Sequence, residues 1–247
     1  VFTKCSTERE IDLAKRMIYH SFLSGASLIK LQLYSKNMFS NDGLDRSYLE
    51  LSFEDFKILK DYGEKIGIDV FATAFTEEAL KWCVDLKVKY LKIASRTHDE
   101  NPGLIKKIID LDILTFVSIS DKNINEVDKF KDYKNVILLY CISNYPTLLS
   151  DAKIPRSFEK FDGVSDHSLG ISYALKACAL GSKYLEKHFT LNKNLQRNTE
   201  KAHLGSMDED DLKMIKKITD EMDLIGKIDK IIKIYFSVMN LIYLSFK

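Results

Sequence analysis

From residue 8 to a little past residue 200, apolar, β-branched runs of about six residues alternate with longer stretches whose apolar positions recur at helical spacing. That alternation is the sequence form of repeated βα units. The short runs predict strands over 28–33, 68–73, 90–94, 114–118, 136–141, 163–166 and 184–188. The amphipathic stretches predict helices over 11–23, 53–66, 77–86, 104–111, 124–130, 172–180 and 209–222, several introduced by Thr, Ser or Asp with Glu soon after, as helix N-termini prefer. Seven strands with intervening helices fit either an open doubly wound sheet or an eight-stranded barrel lacking one strand. No GxGxxG or GxxxxGK(S/T) loop follows any of these strands, and an open nucleotide-binding sheet usually carries one. The expected class is therefore an α/β fold of the TIM (β/α)8 type. Its first strand is short, altered or missing, since only residues 1–4 precede the first helical stretch closely enough to supply it.

The pattern changes after Gly226. Lys227, Lys230 and Lys233 lead into a run of almost entirely apolar or aromatic residues, 234–246. A membrane span needs roughly 20 such residues, so this run is expected to pack as a terminal helix on the barrel or at a subunit interface. The expected division is a barrel over 1–225 and an apolar tail over 226–247.

Composition narrows the class. In 247 residues, 45% are hydrophobic and only 10 are Gly and 3 Pro, which excludes disordered and collagen-like chains. Lys and Arg number 37 against 36 Asp and Glu, so there is no broad basic field for nucleic acid or anionic lipid. Cys5, Cys83, Cys141 and Cys178 lie far apart with no CxxC pair, which argues against a disulfide frame or thiolate zinc site and for a reducing cytoplasm. Residues 1–10 alternate charged and small residues, so no signal peptide is expected there, and Val1 in place of Met suggests a start inside a longer chain.

Candidate chemistry collects at the strand ends. Side chains alternate along a strand, so polar groups at i and i+2 near its carboxyl end point into a barrel mouth, where barrel enzymes work. Lys30 and Gln32 share such a face, as do Phe71 and Thr73. Lys92 and Ala94 follow, with Ser95 just beyond, then Ser118, then Cys141 and Ser143, Ser165 and His167, and Glu186 and His188. A single Ser or Thr at a strand end is commonly a cap or turn residue, but the habit recurs on every strand. A lysine in a barrel interior needs an anionic partner, and Lys30 with Lys92 calls for a multiply charged one, phosphate and carboxylate being the obvious groups. His167 and His188, at the ends of consecutive strands, suit a divalent Zn, Mn, Fe or Co. His20 falls in a helix, His98 in a loop and His203 in a polar loop; none is given a role.

The blocks Lys30-Leu31-Gln32, Phe71-Ala72-Thr73, Lys92-Ile93-Ala94-Ser95, Cys141-Ile142-Ser143-Asn144-Tyr145-Pro146, Ser165-Asp166-His167 and Glu186-Lys187-His188-Phe189-Thr190-Leu191 occur in the order and spacing of the sialic acid synthase family. From about residue 11 to 224 the chain resembles bacterial N-acetylneuraminate synthases and their legionaminate and pseudaminate relatives. The resemblance implies a barrel that condenses phosphoenolpyruvate with an N-acylated aminosugar such as N-acetylmannosamine, giving a nonulosonic acid and phosphate. It implies a divalent metal on His167 and His188, usually Mn²⁺, with Mg²⁺ or Co²⁺ as alternatives, and phosphoenolpyruvate contacts at Lys30, Thr73, Lys92, Ser95, Ser118, Ser143 and Ser165, with Asn144 adjacent. It also implies a homodimer. The candidate set is thus His167, His188 and Glu186 for catalysis, and Lys30, Gln32, Thr73, Lys92, Ser95, Ser118, Ser143, Asn144, Ser165 and Glu200 for substrate.

The chain also departs from that family pattern. Where the family has a first-strand glutamate and an Asn-His-x-Gly turn, this chain reads Phe2-Thr3-Lys4-Cys5-Ser6-Thr7. The family's Ser-Thr-Gly reads Ser118-Ile119-Ser120, and its Gly-x-Asp reads Asn198-Thr199-Glu200, which leaves the aspartate either replaced by Glu200 or absent. The small antifreeze-like domain that follows the family barrel has no counterpart before Lys247. These departures leave a second reading open, a barrel that keeps the phosphoenolpyruvate and metal pocket without turnover. A sugar-phosphate aldol synthase that uses phosphoenolpyruvate is a third, disfavoured because Cys-x-Ser-x-Tyr-Pro belongs to the sialic acid group.

Overall fold

The computed structural model describes residues 10–35, 38, 50–193 and 204–226, together with the backbone of 237–242. Along the chain run α1 (Glu10–Leu23), β1 (Leu28–Leu33), α2 (Phe53–Ile66), β2 (Asp69–Ala74), α3 (Glu77–Asp85), β3 (Tyr90–Ile93), α4 (Thr97–Glu100), α5 (Pro102–Ile109), β4 (Leu114–Ser120), a 3-10 segment (Asp121–Lys129), β5 (Val136–Cys141), β6 (Gly163–Asp166), α6 (Ser172–Ala179), β7 (Tyr184–Phe189), α7 (Glu209–Gly226) and β8 (Ser237–Ile242). The strands pair in parallel in sequence order, and β8 closes the sheet into a TIM-like barrel by pairing with both β7 and β1.

Local chemistry explains the element starts. Ser52 and Asp55 form a reciprocal capping box on α2, Thr76 accepts the Ala79 N–H at the start of α3, and Pro102 occupies the first turn of α5, where its missing N–H costs nothing.

Three expectations are corrected. The apolar run expected as a terminal helix supplies a strand, Ser237–Ile242, so the barrel extends past residue 225. Without β8 the facing edges of β1 and β7 would carry unpaired backbone, and a short continuous apolar run has no periodicity that separates strand from helix. The stretch 124–130 belongs to a 3-10 segment kinked at Asn123, not an α-helix; Ser120 Oγ donates to Asn123 Oδ1 at 2.9 Å, and such residues favour turns over helix. His98 lies in the short helix α4 and is buried. The first-strand stub at 1–4 and the substitute Glu200 fall outside the described residues.

Alternation sorts the sheet into two environments. Outward aliphatic side chains such as Ile29, Leu31, Ala72, Leu91, Ile93, Val117, Val164 and Leu185 are buried under the helices, as a parallel sheet covered by helices requires. The inward positions stack in layers. At the base Phe71, Tyr90, Phe116 and Tyr184 form a ring cluster with centroids 5.7–6.1 Å apart. Each buried ring contributes roughly 1.5–3 kcal/mol. Gly163 makes this floor possible, because a Cβ there would sit 2.1 Å from the Tyr184 carbonyl oxygen. The four rings pack inside the barrel below the polar positions at the carboxyl ends of the strands.

Candidate active site

Directly above the aromatic floor sits a charged layer. Register places Lys30 beside Phe71 and Lys92 beside Phe116, and Ser165 beside Glu186. Lys30 Nζ donates to Glu186 Oε1 at 2.9 Å, and Ser165 Oγ donates to the same oxygen at 2.8 Å. Lys92 Nζ lies 4.0 Å from Glu186 Oε2 and donates instead to Ser118 Oγ at 2.6 Å and to the Ile93 carbonyl at 2.8 Å. Glu186 Oε2 and Thr73 Oγ1, both buried, make no hydrogen bond among the described residues. Two ammoniums therefore share one carboxylate and leave acceptor and donor capacity unused, at a depth where an unmet polar group costs about 1–3 kcal/mol.

The electrostatics follow from burial and these neighbours. Burial alone would raise the Glu186 carboxyl, but Lys30 and Lys92 more than offset it and hold the group well below the usual carboxylate range. Burial pulls the Lys30 ammonium down to about 7, against the opposing pull of Glu186 and aided by Lys92. It lowers Lys92 as well. The Cys141 thiol, beside Lys92, Ser95 and Glu186, is pushed up to about 11 by burial and stays protonated.

One step further along the strands lie the histidines. His167 and His188 each follow by two residues an inward member of the charged layer, Ser165 and Glu186, and their ring centroids are 5.6 Å apart. His167 Nδ1 faces the Ile142 carbonyl at 3.0 Å. A carbonyl only accepts, so Nδ1 carries the proton and Nε2 keeps its lone pair. Burial holds this imidazole neutral, its pKa down to about 4. Tyr145 packs against the pair, tilted by 49° at 4.3 Å from His167 and edge-on at 6.4 Å from His188.

This donor set fits a divalent metal in part. Two imidazoles on neighbouring strands, the His167 ring neutral and oriented by a backbone carbonyl, suit a His-ligated cation. Among the described residues no third His, Cys, Asp or Glu joins them, so further ligands would come from water or substrate.

The structure thus brings most predicted residues together. Lys30, Lys92, Glu186, Ser118 and Ser165 touch directly, and Thr73 stands in register between Gln32 and Lys92. Ser95 and Ser143 hydroxyls approach to 3.4 Å. Gln32 accepts from Tyr34 at 2.9 Å. The Asn144 side chain is exposed, and its carbonyl accepts from Thr147. The sequence reading passed over Tyr145, legible only as an aromatic next to a strand-end block. It also passed over Asp166 and Lys187, charged residues interleaved with the site residues.

Fold and site define a parallel α/β barrel with a buried Lys30–Glu186–Lys92 layer and a histidine pair at its mouth. The chain belongs to the NeuB family, which it matches over residues 17–230. It is 29% identical over 255 residues to the N,N'-diacetyllegionaminic acid synthase of Legionella pneumophila, covering 90% of this chain and 71% of that protein. To the human N-acetylneuraminate-9-phosphate synthase it is 28% identical, covering 79% of this chain and 62% of that one. Among solved structures, the N-acetylneuraminic acid synthetase of Leptospira borgpetersenii in complex with citrate superposes with a TM-score of 0.78 at 28% identity, covering 90% and 82% of the two chains. A DAHP synthase from Thermotoga maritima shares the fold at 14% identity and a TM-score of 0.61. No helix among the described residues is long and apolar enough to cross a membrane.

Proposed function

We propose that this chain condenses phosphoenolpyruvate with an N-acylated aminosugar, of the N-acetylmannosamine kind, to give a nonulosonic acid and inorganic phosphate. The observation that carries the reading is the buried Lys30–Glu186–Lys92 layer with spare hydrogen-bonding capacity, set one step below the histidine pair in a family whose named relatives make such acids. Phosphoenolpyruvate brings a phosphate and a carboxylate, which Lys30, Lys92, Thr73, Ser118 and Ser165 would receive in this reading, with Ser95, Ser143, Gln32 and Asn144 as further contacts. Charge-assisted bonds from two desolvated ammoniums are strong in such a site.

His167 and His188 would hold a divalent cation, Mn²⁺ in preference to Mg²⁺ or Co²⁺, whose chemistry when bound is Lewis-acid polarisation of the sugar aldehyde. The chain's own residues do the rest. The lysines fix phosphoenolpyruvate with C3 toward the aldehyde carbon, so that the new C–C bond forms between them. The positive charge that develops at C2 lies near Glu186, whose ionised carboxylate stabilises it and orients the water that adds there. Phosphate then departs as C2 becomes the ketone of the product. One water is consumed for each phosphate released.

The free, buried Cys83, Cys141 and Cys178 agree with a reducing cytoplasm, and a homodimer is the proposed assembly. The test is phosphate release from phosphoenolpyruvate with N-acetylmannosamine and related sugars, with and without Mn²⁺. Release that needs both sugar and metal supports the reading. Calorimetric binding of phosphoenolpyruvate with no release for any sugar would favour instead a barrel that binds without turnover.

A further inference from the structure

The outer face of β6 and β7 carries a second buried ion pair that the proposed chemistry does not use. Alternation turns Asp166 and Lys187 away from the mouth, and the register sets them side by side. Lys187 Nζ donates to Asp166 Oδ2 at 2.8 Å with both side chains at 0–1% exposure. A buried pair of this kind is a weak source of stability, since apolar residues of similar volume often serve as well or better.

Its remaining bonds show another use. Asp166 Oδ1 accepts the Ser168 N–H at 2.7 Å, and Lys187 Nζ donates to the Ser168 carbonyl at 2.7 Å. The pair thus grips both backbone groups of the residue that follows His167. From the other side Thr147 N–H donates to the His167 carbonyl at 2.9 Å. Gly205 closes over that carbonyl so tightly that a Cβ would lie 2.6 Å from its oxygen. His167 is the middle residue of a turn clamped from behind the sheet and from above.

We propose that Asp166 and Lys187 are positioning residues: acting through Ser168, they hold the 166–168 turn so that His167 keeps Nδ1 on the Ile142 carbonyl and offers Nε2 beside His188. The inference rests on the metal reading above, and the pair itself touches neither cation nor substrate.

The test separates positioning from stability. Asp166→Leu combined with Lys187→Met removes the charges and both grips on Ser168 while keeping the interior apolar and filled. The expected result is a melting temperature at or above the parent's, Mn²⁺ affinity by calorimetry lower by about 10–100-fold, and ¹⁵N signals of metal-free His167 shifted from one Nδ1–H tautomer to a mixture. Asp166→Asn keeps the oxygen that Ser168 N–H needs but loses the charge. It is expected to be less stable than the parent, with parent-like tautomer and Mn²⁺ affinity within about threefold, and it alone decides the matter if the double variant does not fold. Affinity and tautomer that follow stability across both variants would overturn the proposal. A parent that binds no Mn²⁺ would remove the metal reading, while the tautomer measurement would still judge the positioning role.

Discussion

Two lysine–carboxylate pairs lie on opposite faces of the same sheet, with nearly equal N–O distances of 2.9 Å for Lys30–Glu186 and 2.8 Å for Lys187–Asp166. They differ in how completely they are satisfied. On the outer face both Asp166 oxygens accept and Lys187 has two acceptors, so the carboxylate is fully used and one ammonium N–H is left over. On the inner face, among the described residues, Glu186 keeps one oxygen without a hydrogen bond, a second ammonium stands 4.0 Å away, and Thr73 keeps a hydroxyl unused. A pair whose carboxylate is fully used is architecture, and one with a carboxylate oxygen to spare has hydrogen-bonding capacity for a ligand. The difference arises from one-residue alternation on β7, where Glu186 faces the barrel axis and Lys187 faces the helices.

Breaking each pair singly should expose the contrast. Asp166→Leu strands a buried ammonium and should cost about 3–5 kcal/mol, read as a fall in the denaturation midpoint. Lys30→Met should cost no more than about 1–2 kcal/mol, because Glu186 retains Lys92 nearby and an expensively desolvated ammonium is removed. Equal losses would erase the distinction.

The binding consequence runs the other way. Lys30→Met should weaken phosphoenolpyruvate by about 1.5–3 kcal/mol, the worth of a charged hydrogen bond, in a calorimetric titration that leaves Mn²⁺ affinity unchanged. Loss of both together would mean that the charged layer and the histidine pair are not separate subsites. A smaller effect, about 1–3 kcal/mol of stability from overpacking, is expected for Gly205→Ala, whose methyl group presses on the His167 carbonyl. Its Mn²⁺ affinity should fall as well, and unchanged affinity would show that the clamp from above does not matter to the ring.

The smallest effect is in pH. Burial lowers the Lys30 ammonium to about 7, so in the ligand-free protein it loses its proton as pH rises through that value. A phosphate monoester is already doubly ionised there, its second pKa being about 6. Affinity for phosphoenolpyruvate should therefore decline by up to about tenfold for each pH unit above 7, with proton uptake on binding. Constant affinity and no proton uptake between pH 7 and 9 would mean that Lys30 stays charged.

The sequence made the strands and the inner layer readable for one reason, the two-residue period. β-branched runs located β1 to β7, and counting i and i+2 from their ends placed Lys30, Lys92, Ser165, Glu186 and both histidines on one face. The same count puts Asp166 and Lys187 on the other face. Their importance was missed because an outward charge suggests solvent, whereas helices bury the outer face of a parallel barrel. β8 was illegible as a strand because six continuous apolar-rich residues have no diagnostic period, and its role follows from the open edges it pairs with. His98 shows the limit of loop assignment. Its ring is fully buried against Glu126, 2.7 Å from Nδ1, through a contact 28 residues away in sequence, which no local pattern reveals.

The central claim is that two imidazoles from neighbouring strands share one cation beside the buried Lys30–Glu186–Lys92 layer. Titration of Mn²⁺ into the parent chain and into His188→Ala tests it most directly. The account predicts one equivalent bound by the parent, at least about 100-fold weaker binding in the variant, and melting temperatures within a few degrees of each other because a mouth residue adds little to the core. Equal Mn²⁺ affinity in the two proteins would contradict it.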